Sequence, residues 1–160
     1  MIDFYRKMVL LGVLVFFCII FIFSNSLKNG EESHKDSAGI VDFVEDLAEK
    51  IAPENQVDWN YIVRKGAHLF EFFVLGVFAS MFFFQWKPKR KYGVIYSFIC
   101  VILIACTDEF IQRFTGRTSS FKDVMIDICG ASIGIGFILL FGLWKKRIER
   151  NKNSNESADV

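Results

Sequence analysis

The chain has 160 residues, 52% of them hydrophobic and 19 of them Phe, a composition that excludes an ordinary soluble domain and reads as a small integral membrane protein. Its net charge of +1 provides no overall basic field, so nucleic acid is not an expected partner. The four cysteines, Cys18, Cys100, Cys106 and Cys129, fall in apolar runs with no C-x-x-C pair; no cysteine-based zinc site or disulfide framework is expected, and they read as small apolar side chains.

A bilayer-crossing helix needs about 20 mostly apolar residues. The first such run covers about 8–24 (MVLLGVLVFFCIIFIF and a flanking Ser) and is slightly short, with Tyr5 and Ser24 available to extend it. Arg6-Lys7 ahead of it resembles a signal-peptide start, but the run ends Phe-Ile-Phe without an A-x-A-like site, so a retained anchor is expected. A long acidic loop follows. Within it Ile40, Val44, Leu47 and Ile51 recur at helical spacing among Asp42, Glu45, Asp46 and Glu49, predicting an amphipathic helix capped by Asp36 or Ser37 and ended before Pro53. Three further spans are predicted over about 67–86, 92–107 and 124–144. The second and third are joined by a basic hairpin around Pro88. Asn151–Val160 reads as a disordered polar tail. The predicted fold is all-α: one membrane domain over 1–150, with four spans and an extracytoplasmic amphipathic helix.

Arg6-Lys7, the Lys87–Lys91 loop and the Lys145–Lys152 end hold eleven of the 19 basic residues. The positive-inside rule then puts both termini in the cytoplasm of a multi-pass cell-membrane protein. The remaining loops face outward, and so do three sets of charges within apolar segments. Arg64, Lys65, His68 and Glu71 open the second span; Asp108, Glu109 and Gln112 close the third; Asp123 and Asp127 open the fourth. A charge near the bilayer centre costs roughly 2.5–3.5 kcal/mol even on lenient scales, so such groups face protein and pair. Spacings of three and four put Arg64, His68 and Glu71 on one helical face, and likewise Asp108 with Gln112 and Asp123 with Asp127. One shared outer-face site is the expectation. The near balance of acids and bases equally fits a self-neutralising set of ion pairs that fixes the fold. Arg117, between Gly116 and Thr118-Ser119-Ser120, reads either as a clamp for phosphate or carboxylate or as an ordinary turn with a Ser cap. Gly130 and Gly134 form G-x-x-x-G, a close-packing signal.

The ordered pieces Arg64-Lys65-Gly-Ala67-His68-Leu-Phe-Glu71, Cys106-Thr-Asp108-Glu109-Phe-Ile-Gln112, Gly116-Arg117 with Asp123, and Gly130 with Gly134 resemble the VanZ-like family of bacterial membrane proteins. The serines around the end of the first span, Ser26 among them, resemble the family's serine-bearing N-terminal segment. Phe72 stands where Tyr is frequent and Asp127 where Asn is usual. The resemblance implies a cell-envelope role at the outer face and a link to teicoplanin resistance; it supplies no reaction.

Three functions are expected from these residues. The first is a cleft in which Arg64, Lys65, Gln112, Arg117 and Asp123 bind a lipid, an envelope precursor or a lipoglycopeptide. The second is a hydrolase or transferase with His68, Glu71, Asp108 and Glu109 as the catalytic set; no residue is assigned as a metal ligand, although a divalent ion on oxygen ligands is one version of it. The third is a proton-coupled transporter, for which four helices are few without oligomerisation. Cofactors and oligomeric state are left open.

Overall fold

The computed structural model describes residues 1–28, 35, 38–46, 58–86, 89–115 and 120–156. The chain is all-α. Helix α1 spans Ile2–Ser26, α2 residues 38–46, α3 Trp59–Trp86, α4 Arg90–Phe114 and α5 Phe121–Glu156. The four long helices are each apolar enough to cross a membrane.

Every long helix outruns its expected span, and the extensions decide where the charges sit. α1 continues through Asn25 and Ser26, so these polar residues belong to a helix end rather than a loop. α3 starts at Trp59 because Asp58 caps it: the Asp58 carboxylate accepts the Tyr61 N–H at 3.0 Å. Arg64 and Lys65 therefore stand on the second helical turn. α4 continues past Thr107 to Phe114. α5 begins at Ser120, whose hydroxyl accepts the Lys122 N–H at 3.3 Å and whose carbonyl accepts the Asp123 N–H at 2.8 Å.

α5 also corrects the expected disordered tail, since it runs on through Asn151 to Glu156. Glu149, Arg150 and Lys152 are good helix formers, and extending a formed helix costs little compared with starting one. In α2 the inward face differs from the predicted one. Val41 is buried and Val44 half-buried, while Ile40 is 59% exposed. Over the described residues 38–46, residues three apart put Val41 and Val44 on one stripe. Leu47, Ile51, Asp36, Ser37 and Pro53 lie outside the described residues.

α3 is the central helix, packing against α1, α4 and α5. Its buried face is His68, Phe72, Leu75, Gly76 and Ala79. A Cβ on Gly130 would strike the Leu69 carbonyl oxygen, one on Gly134 the Phe73 carbonyl, and one on Gly76 the backbone of Ala131. α3 and α5 thus meet backbone to backbone, which is how helices associate where lipid removes the usual hydrophobic drive. On α4 the buried stripe is Ser97, Val101, Ala105, Asp108 and Gln112, at steps of four and three. The same stripe that packs the apolar core carries Asp108 and Gln112 to its end.

Candidate functional site

The C-terminal end of α1, the N-terminal ends of α3 and α5, and the C-terminal end of α4 meet at one end of the bundle. Asp108, fully buried, is the hub. The Ser26 hydroxyl of α1 donates to its Oδ1 at 2.5 Å, and the Gln112 amide, one turn on, donates to its Oδ2 at 2.7 Å. Gln112 Nε2 also lies 3.4 Å from Ser26 Oγ, and the Thr115 hydroxyl donates to the Ser26 carbonyl at 3.3 Å. These side-chain hydrogen bonds cross between the two helices, so the ring ties α1 to α4.

His68 Nδ1 lies 4.0 Å from Asp108 Oδ2 and 4.0 Å from Asp127 Oδ1. Asp127 is 2% exposed. One helical turn before it, Asp123 pairs with Lys65 Nζ at 2.5 Å, and the same ammonium lies 5.3 Å from the Tyr61 ring centroid. Glu109 is buried and accepts the backbone N–H of Ser120, so one carboxylate oxygen holds the start of α5. Glu71 is half-buried and accepts from the Asn25 side chain at 2.8 Å. Arg64 is half-buried and pairs with no described acidic residue. Arg117 lies outside the described residues.

The expected residues therefore divide. Lys65, His68, Asp108, Gln112 and Asp123 converge, and Lys65, His68, Gln112, Asp123 and Asp127 share one small pocket. Glu71 and Glu109 lie at its borders, each engaged by a neighbouring element. Asp127, which the step of four from Asp123 places on the same face, joins the cluster although the sequence assigns it no role there. One member is missed by the sequence reading. Asn25 closes the α1 side, and the signal for it was the apolar run of α1, too short to span without the polar Ser-Asn-Ser that follows.

Beside the polar end, α1 and α3 enclose a groove of about 500 Å3, walled mainly by Leu14, Phe17, Phe21, Phe70 and Val74 and ending at Ser24 and Glu71. All four cysteines are free thiols outside the polar cluster.

A polar centre built across four membrane-type helices, on the motifs quoted above, defines a VanZ-like membrane protein. The VanZ/LLP1 family profile matches residues 9–142, most of the chain, and the chain belongs to that family. No curated protein and no solved structure matches it.

Proposed function

We propose that this chain is a cell-envelope membrane protein whose polar end binds the anionic headgroup of an amphipathic guest: a lipid, a lipid-linked envelope precursor, or the acylated, charged portion of a lipoglycopeptide such as teicoplanin. The observation that carries the reading is the junction of an apolar groove with a charged centre at Glu71. An acyl chain fits the groove and a headgroup then meets the cluster. Arg64, not engaged by a described acid, and Arg117, flanked in the sequence by Gly116 and Thr118-Ser119-Ser120, supply the guanidinium forks that match phosphate. Lys65, held by Asp123, adds a positioned N–H donor. The cytoplasmic placement of both termini, from the positive-inside count, puts this end at the outer leaflet of the bacterial cell membrane.

Purified protein titrated with undecaprenyl phosphate, phosphatidylglycerol and teicoplanin checks it. Arg64→Ala and Arg117→Ala are expected to weaken at least one of these by ten-fold or more. Unchanged affinity for all three in both variants overturns the headgroup site.

The second reading is a membrane-embedded hydrolase or transferase. It is favoured by His68 standing between carboxylates of two other helices, the placement a general acid/base needs.

A further inference from the structure

We propose that His68, Asp108 and Asp127 bind one divalent transition-metal ion of the Zn2+ or Mn2+ class. Each offers a ligand atom, and these atoms lie within 4.8 Å of one another, all in buried residues. His68 Nδ1 stands 4.0 Å from a carboxylate oxygen on each side. That is too long for a hydrogen bond. Two ligands with bonds of about 2.0–2.2 Å to one ion stand about 3.0–3.6 Å apart at ordinary coordination angles, so the three groups draw in by about half an ångström to close on it.

A second observation is burial. Asp127 is 2% exposed and stands with His68 Nδ1 4.0 Å from its Oδ1. A buried carboxylate needs a counter-charge close by, and a cation between it and His68 supplies one. Lys65 pairs directly with Asp123, and its charge reaches Asp127 only at longer range. Asp108 is held the way ligating carboxylates are: Ser26 fixes Oδ1 and Gln112 fixes Oδ2, orienting the group toward the imidazole. Two carboxylates and a neutral imidazole carry two negative charges, which one divalent ion balances. One nitrogen and two oxygens suit Zn2+, Mn2+ or Fe2+ rather than a soft thiolate-bound ion. A small pocket lined by Lys65, His68, Gln112, Asp123 and Asp127 lies at the site.

The site needs no lipid guest, so each proposal survives failure of the other, and lipid titration of EDTA-treated protein separates them. The test strips the full-length detergent-solubilised chain with EDTA, then titrates Zn2+ and Mn2+ separately by calorimetry and melting temperature. One ion per chain is expected, with a higher melting temperature on binding. Asp127→Asn is expected to lose ten-fold or more in affinity and to lose that thermal gain. Because variants of a buried cluster can misfold, pulsed EPR of the Mn2+-loaded wild type gives a variant-free readout. It is expected to show coupling to a single imidazole nitrogen, retained in His34→Ala, the other histidine of the chain. Absence of a stoichiometric ion in the wild type, undiminished binding in folded Asp127→Asn, or no nitrogen coupling overturns the site.

Discussion

The two ends of the bundle handle buried charge in opposite ways. At the polar end, carboxylates from three helices crowd together and are met by side chains: Ser26 and Gln112 on Asp108, Asn25 on Glu71, Lys65 on Asp123. At the other end Arg90 donates to the Ile138 and Leu139 carbonyls at 3.3 and 3.0 Å and lies 5.3 Å from the Phe84 ring centroid, with no described acid as its partner. Around it Phe83, Trp86 and Tyr96 pack ring to ring. Joining helices in a membrane evidently takes no more than a guanidinium on carbonyls, a cluster of aromatic rings and the glycine seam of α3 and α5. The acids of the polar end exceed that need. Their surplus is the physical ground for assigning function there.

The largest effect should come from the hub. Asp108→Ala strands the Ser26 hydroxyl and the Gln112 amide in a buried site and removes a charge facing His68. A loss of about 3–5 kcal/mol is expected, read as the unfolding midpoint in detergent. A loss below about 1 kcal/mol would show that the α1–α4 ring is ornamental to stability and end the contrast between the two ends.

Lys65→Met comes next. It leaves Asp123, with a side chain only 11% exposed, beside Asp127 and without its cation. We expect a loss of about 2–3 kcal/mol. Adding Asp123→Asn should restore more than half of it, because the penalty belongs to the stranded charge and not to the missing contact. A double variant no better than the single one would place the cost in lost packing of the lysine stem instead.

The four spans and the polar stripes were legible because membrane helices leave few places for charge: steps of three and four from Arg64 to Glu71 and from Asp123 to Asp127 fix a face before any coordinates exist. The glycine seam was legible for the same reason. Helix ends were not, since hydropathy stops counting where the apolar run stops, while Asp58 and Ser120 caps and the Asp108–Gln112 turn carry α3, α4 and α5 further. The partition among the acids was also hidden. Whether Glu109 faces His68 or the Ser120 amide depends on how α4 and α5 are joined, and spacing along one helix says nothing about the contacts between two.

Arg90→Met sharpens the comparison with the smallest effect. The variant loses two charge-assisted hydrogen bonds and a cation–π contact, gross terms that would suggest a large cost. Three circumstances shrink it. Ile138 and Leu139 lie inside α5, so their carbonyls keep their helical N–H donors and are not orphaned. No described acid is left uncompensated. Arg90 Nε is itself buried without a partner among the described residues, a cost that methionine removes. Methionine also retains an apolar stem over Phe84, where Gly142 leaves room for it. The expected loss is about 1 kcal/mol, measured by the same unfolding midpoint and unaltered by salt. If Arg90→Met costs as much as Lys65→Met, buried cations are structural fasteners at both ends, and the surplus of acid at one of them no longer distinguishes a site from a scaffold.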